Sequence, residues 1–242
     1  EAVTSYSVAS DNSWTQVTMP DTTVYKEFFA TSGWQTGLTT RTEVWLLGAN
    51  PKWTTIAWTQ DDTGLSYQKN PRVIETNIYD AEGNRRRVTT SYTTFTLPSG
   101  ALCSLPADVY EYAADAATVL RRTHTDYRYD AAYMDRRMVG LPSIQWVYDG
   151  GGTLASKVWF DYDWGSSSAH LVATAQNPVQ HDSTYDINFA AGRGNLVLVL
   201  RFDLTDPNNT LGKASEYKYG YNTNGSLAFT RDHLWHQTNF SY

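Results

Sequence analysis

Asp161 and Asp163 are the first residues in this 242-residue sequence whose types and spacing could do chemistry. Two residues apart on an extended strand, they share a face, and paired carboxylates can exchange a proton or hold calcium. The reading adopted is plainer: Asp163 is a turn acid and Asp161 its solvated neighbour. Asp232, His233 and His236 carry metal-ligating groups, but residues three apart on a strand face opposite sides, so the imidazoles do not converge. Asp80-Ala81-Glu82-Gly83-Asn84 has the start of a calcium loop without the later glutamate, and reads as a hairpin turn. Gly192-Arg193-Gly194-Asn195 lacks the Lys-Ser/Thr of a phosphate loop and no helix opens after it. Cys103 lies in the apolar stretch Ala101–Leu105 with no basic neighbour, the setting of a buried, inert thiol. Arg85-Arg86-Arg87, Arg121-Arg122 and Arg136-Arg137 read as strand rungs opposite acidic neighbours. No residue is assigned a catalytic, cofactor-binding or metal-ligating role, and no enzymatic activity is expected.

The elements that position these residues are strands. Thr, Tyr, Trp and Val dominate short stretches such as Thr54–Thr59, Arg87–Thr93 and Lys157–Tyr162, and branched and aromatic side chains suit a pleated, half-buried surface. Turn signals separate them: Asp62-Thr63-Gly64, Asp80–Asn84, Asp149–Gly152, Asp206-Pro207-Asn208-Asn209 and Asn222–Gly225. Ala113–Arg122 could pass for a helix. Its Asp115–Thr118 also reads as a hairpin loop, and the hairpin is preferred. Aromatic residues make up 14% of the chain, which argues against disorder, and a net charge of -6 without a long basic run argues against nucleic acid. No apolar run approaches the ~20 residues of a membrane-spanning helix. A single cysteine excludes an internal disulfide.

Internal repetition is the strongest signal. An aromatic followed by an acid or amide recurs as Tyr79-Asp80, Tyr110-Glu111, Tyr129-Asp130, Tyr148-Asp149, Tyr162-Asp163, Phe202-Asp203 and Tyr221-Asn222. Tyr110, Tyr129 and Tyr148 are separated by a common step of about 20 residues, as are Phe202 and Tyr221, the mark of stacked supersecondary units. Two strands of about six residues fill that step, so each unit is expected to be one β-hairpin. The aromatic should end a strand and pack inward, and the next residue should cap the turn. Residues 1–70 repeat less clearly and read as diverged N-terminal strands of the same sheet; residues 71–242 form the repeat region.

The unit Tyr219–Leu227, followed by Thr230-Arg231-Asp232 and His236–Tyr242, resembles the YD repeat of RHS-repeat proteins. Asn77–Arg85 is a second match, and Gly192–Leu196 with Arg201-Phe202-Asp203 a third. The resemblance implies an all-β fold of stacked antiparallel hairpins, solenoid or shell-like, cut from a larger bacterial polypeptide of the secreted or cell-surface type. It also implies a structural role, a wall or shell segment; the alternatives are an extracellular filament protomer and, from the 17 Tyr and 9 Trp that could stack on sugar rings or fill the core, a glycan-binding or adhesive module. The chain departs from toxin-carrying members. Asp232-His233-Leu234-Trp235 stands where a self-cleaving DPxG turn is expected, so no toxin cargo is expected within it. The first strand, Ala2–Ala9, and the last, Leu234–Tyr242, carry no charge and no proline. Uncharged edges favour strand addition, so the expected partners are other copies or further repeats of the parent chain.

Overall fold

The computed structural model describes residues 3–46, 51–163, 170–172, 184, 186–189, 192–206 and 213–241. Pro207, Asn208 and Asn209 of one expected turn lie outside these residues, as do Ala2 and Tyr242 of the expected terminal strands. The regular structure of the described residues is almost entirely strand: β1 (Ser5–Val8), β2 (Trp14–Thr18), β3 (Val24–Phe29), β4 (Thr39–Trp45), β5 (Lys52–Thr59), β6 (Arg72–Tyr79), β7 (Arg85–Thr96), β8 (Leu102–Tyr112), β9 (Val119–Tyr127), β10 (Pro142–Asp149), β11 (Leu154–Tyr162), β12 (Leu171–Val172), β13 (Leu196–Arg201), β14 (Ser215–Asn222), β15 (Leu227–Arg231) and β16 (Gln237–Asn239). One 3-10 turn (Gly33–Gln35) and one helical turn, α1 (Ala131–Met134), interrupt them. All sixteen strands belong to one sheet whose order follows the chain from β1 to β16, except that β12 adds to β14 in parallel. The fold is thus all-β and built of consecutive antiparallel pairs. The expected hairpin at Asp115–Thr118 forms: Asp115 accepts the backbone N–H groups of Ala117 and Thr118.

Contacts group the chain into two compact units. Unit 1 comprises Glu1–Tyr92, Asp108–Arg122 and Asp149–Gly151; unit 2 comprises Thr93–Ala107, Thr123–Tyr148 and Gly152–Tyr242. In unit 1 cross-strand register places Trp14, Lys26, Phe28, Arg41, Glu43, Trp53, Tyr79 and Arg85 on one face. They form a ladder rather than an oily core. Lys26 sits 4.0 Å over the Trp14 ring, Arg41 covers Phe28 and Trp53, and Trp53 stacks on Tyr79 at 4.6 Å. Cations over aromatic faces contribute about 0.5–1 kcal/mol each at exposed sites. In unit 2 the apolar run Leu196–Leu200 forms β13, paired on both sides by β11 and β14, and Val197, Leu198 and Leu200 make the buried cluster.

The aromatic–acid pairs mark strand ends. Tyr79, Tyr162 and Tyr221 fall at or next to the last residue of their strands, and Tyr148 one residue before the end. The common step covers one strand with its flanking turn and loop, not a hairpin, because the strands within it, β9, β10 and β14, have 9, 8 and 8 residues. Several members depart from the expectation. Glu111 lies inside β8, Tyr129 is 68% exposed instead of packed inward, and Asp130 makes no side-chain cap bond. In three of the pairs the acid caps its turn: Asp80 accepts from the N–H groups of Glu82 and Asn84, Asp149 from Gly151, and Asp203 from Thr205. The register also slips by one residue next to the motif aromatic, between Val147 and Tyr148, Asp161 and Tyr162, and Gly220 and Tyr221. Such bulges raise local twist and redirect the side chain that follows.

Asp232 likewise accepts from Leu234 and His236, so the last strand begins at Gln237; the expected strand from Leu234 is partly turn. Gly220, opposite Phe229, leaves no room for a side chain: a Cβ there would lie 2.0 Å from the Phe229 ring. Replacing Gly220 by Ala is expected to cost about 1–3 kcal/mol, the range for forced overpacking. Phe229→Leu in the same chain should recover part of it. Urea unfolding of the two single variants and the double variant measures the coupling, and strict additivity would contradict the contact.

Candidate functional site

The described residues concentrate buried polar chemistry at one place in unit 2, where β11 ends. Asp163 follows Tyr162 with φ 54°, a left-handed conformation that Asp tolerates better than most residues. Its side chain is 0% exposed. The carboxylate reaches a loop some 30 residues further along the chain. It accepts the backbone N–H groups of Arg193 and Gly194 on Oδ2 (2.9 and 2.8 Å) and of Asn195 on Oδ1 (3.0 Å). Gly192 and Gly194 both have positive φ, 72° and 77°, so successive N–H groups turn to one side and form an anion-binding nest. The loop that lacks a phosphate-binding signature therefore does bind an anion, and the anion is the chain's own Asp163. Arg193 fixes the loop by donating to the carbonyl oxygens of Thr223 and Asp186, and Arg136 donates to that of Gly192.

Around this carboxylate lie His170, with Nε2 3.9 Å from Asp163 Oδ1, and Tyr133, whose hydroxyl donates to the carbonyl of Tyr162 at 3.0 Å. Burial pushes the Tyr133 phenol well above its ordinary range, the nearby Asp163 charge adding to the effect, and burial pushes Tyr162 up to about 12. Both phenols stay protonated at neutral pH. Asp161 accepts from Arg128 at 3.0 Å and from the Tyr162 N–H at 2.9 Å. The expectation that Asp161 is a solvated neighbour fails, since its side chain is 17% exposed and ion-paired. The two aspartates are also not a same-face pair: the register slips between Asp161 and Tyr162, and Asp163 has left the strand. With three N–H donors on one carboxylate and a guanidinium on the other, the geometry makes a structural lock, not an acid–base couple.

The remaining sequence candidates separate. His236 Nδ1 lies 3.1 Å from Asp232 Oδ2, whereas His233 tilts against Tyr217. Among the described residues no group of three His, Cys, Asp or Glu side chains could hold a metal ion. The Asp80 loop is a hairpin turn whose second carboxylate oxygen binds the Asn84 amide. The arginines of strands β7 and β9 are rungs: Arg87 on Glu75 at 2.7 Å, Arg122 on Asp108 at 2.7 Å, and Arg86 and Arg121 on Glu111. Arg136 is not a strand rung, because it follows α1 and reaches Gly192. Cys103, on β8, is partly exposed rather than buried. Sequence reasoning missed Tyr133, His170 and the 193–195 nest; the alternating glycines at 192 and 194 were the available signal for the nest. No helix among the described residues is long and apolar enough to cross a membrane.

No protein-family model matches the chain, and no curated protein does. Among solved structures the chain is similar to TcdB2-TccC3-TEV (9% identity, TM-score 0.28), covering 99% of this chain and 12% of that one. It is similar to a porin-like protein from Bacteroides uniformis (9% identity, TM-score 0.35), covering 97% and 92%. A third, TcdB2-TccC3, gives 8% identity and TM-score 0.26 over 90% and 11%. The chain thus spans about an eighth of the first of these proteins. Similarity at this level assigns no activity and no partner.

Two outcomes follow from the carboxylates. Asp163→Asn keeps the left-handed backbone at little cost but turns an amide toward converging N–H donors. One or two buried donors lose their acceptor, at roughly 1–3 kcal/mol each, so urea unfolding should show a loss of about 3 kcal/mol. An unchanged midpoint would refute the lock. The turn acids Asp80, Asp115 and Asp203 are held below the usual carboxylate range by the Asn84 amide and by the Thr118 and Thr205 hydroxyls, each aided by backbone N–H groups. A lowered folded-state value means that the stabilisation is complete above the unfolded value near 4 and is lost as pH falls through the folded one. Urea midpoints should fall as the pH drops below about 4, and Asp80→Asn should reduce that fall.

Proposed function

We propose that the chain is a non-enzymatic sheet segment of an extracellular or cell-surface RHS-type structural polypeptide, and that β1 and β16 pair with further strands. The observation that carries this is the character of the two outer strands. Every residue of Ser5–Val8 and of Gln237–Asn239 is exposed, none is charged, and each strand pairs on one side only among the described residues. Tyr6 is 77% and Val8 59% exposed. An edge with unpaired N–H and C=O groups and no charge or proline is a template for another strand. β1 and β16 differ from one another, so their joining is head to tail and continues without closing unless the geometry forms a ring. In a long polypeptide the added strands are the flanking repeats; in the separate 242-residue chain they are those of a second copy, which gives filaments. The absence of enzymatic activity is supported by the engagement of Asp161 and Asp163 with Arg128 and the 193–195 nest. The RHS assignment and the extracellular location rest on the repeat motif.

Sedimentation velocity of the chain over a rising concentration series tests the reading. The mean mass should rise with concentration, and electron microscopy of the largest species should show filaments or rings. Tyr6→Lys with Val8→Lys, and separately Thr238→Lys, should hold the chain monomeric with unchanged circular dichroism. A monomer throughout, or association indifferent to both edges, overturns it.

A further inference from the structure

The turn before β16 carries two large exposed apolar side chains, Leu234 at 61% and Trp235 at 63%. Trp235 has φ 69°, a left-handed conformation that a bulky residue seldom adopts and a glycine adopts freely. Such strain on an exposed side chain points to a contact made outside the chain. The indole stands beside two cations, with Lys218 Nζ 5.0 Å and the Arg231 guanidinium 5.4 Å from its ring. Lys218 is paired with Glu216 at 2.9 Å. Arg231 donates to the side-chain oxygen of Gln237 and, among the described residues, meets no carboxylate. At the other end of the strand order, within unit 1, a cavity of about 390 Å³ opens where β1 ends. Val8, Thr15 and Phe29 line it from the strands, and Asp11 and Thr31 from the adjoining turns. No Lys or Arg lines it. Asp11 accepts the Ser13 N–H at 3.0 Å and meets no cation among the described residues.

We infer that this cavity is the socket for Trp235 of a second copy of the chain. The inference rests on the addition of β16 to β1 proposed above and specifies what fixes its register. Ser5–Val8 and Gln237–Asn239 are short, exposed and uncharged, and strands of that kind slip easily against one another. In antiparallel addition the start of β16 lies beside the end of β1, so the turn 232–236 of one copy comes against the turn 9–13 of the next. Lys218, Arg231 and Gln237 form one cross-strand row, and the indole lies against the two cations of that row. Val8 and Thr15 form the row at the cavity. With Gln237 opposite Val8 the two rows are continuous and Trp235 is carried to the cavity; a slip by one residue puts it on the far face. A Trp seated in a desolvated pocket is the kind of contact that dominates an interface. Arg231 brings to Asp11 a charge of opposite sign, which favours this end-to-end encounter over like ends meeting.

Sedimentation equilibrium on variants of the 242-residue chain tests the socket. Trp235→Gly removes the indole and suits the left-handed backbone, and Thr31→Trp fills the cavity from its wall. Each should weaken association about tenfold or more with unchanged circular dichroism. Asp11→Asn, which keeps the acceptor for Ser13, should weaken it several-fold at low salt and have no effect at about 1 M salt. The first two variants should complement one another, because Trp235→Gly keeps a cavity and Thr31→Trp keeps an indole. Their equimolar mixture should form a heterodimer at the parent's affinity and grow no further. If each variant alone associates as the parent does, while Tyr6→Lys with Val8→Lys is monomeric, the socket is overturned and strand addition stands. A mixture that binds no tighter than its components also overturns the socket. A parent chain that stays monomeric at every concentration removes both readings.

Discussion

A strand that ends must find acceptors for the backbone N–H groups of its turn, and in this chain a carboxylate placed just after the strand takes them. Asp80, Asp115, Asp149, Asp203 and Asp232 do this locally, over two to four residues. With so many short turns between long strands, unsatisfied N–H groups would accumulate at every reversal. Asp163 applies the same interaction at long range. Its carboxylate binds the N–H groups of residues 193–195, joining the end of β11 to the start of β13. Burial then raises the stakes, because a charge at 0% exposure is tolerable only when hydrogen-bonded.

Between the turns the sheet holds its faces by polar and aromatic rungs more than by a thick core. In unit 1 the buried residues include Glu43, Gln60 and Asn77, and each has partners: Arg41 on Glu43, the Asp62 carbonyl accepting from Gln60, and Arg85 and Glu75 on Asn77. Arginine serves two functions at once there, pairing with a carboxylate through its edge and covering a ring with its plane. Arg87 does both, with Glu75 and with Tyr112 at 4.6 Å. This explains how a chain with 41% hydrophobic residues satisfies so many strands, and why the Trp and Tyr residues of that face are occupied. Tyr129, whose outer face stays open, differs from them for that reason.

Much of this was legible from residue types. Branched and aromatic runs gave strands where expected, Asp115–Thr118 resolved as a hairpin because its acid caps the turn, and the arginines of β7 and β9 met acids across the sheet. The parts that were not legible depend on geometry that residue identity does not encode. Strand length set the meaning of the repeat step, since strands of 8 or 9 residues with their flanking loops fill with one element what shorter strands would fill with two. The bulges at Tyr148, Tyr162 and Tyr221 leave no compositional trace. Asp163 has the same local sequence pattern as its relatives in the repeat, yet its partners lie 30 residues away. Cys103 sits in an apolar pentapeptide but on a strand whose surface is half open.

Strand order that follows chain order also shapes how such a protein comes to be folded. Each new strand finds its partner in the strand just before it, so most closures are short and their entropic cost is small. A polypeptide built this way can acquire structure from its leading end as it emerges from a ribosome or a translocation channel, without waiting for distant segments. The exception lies in unit 2. β11 and β13 pair across an intervening stretch, β12 enters in parallel beside β14, and Asp163 must wait for residues 193–195. Among the described residues, that step is where the growing sheet has to pause.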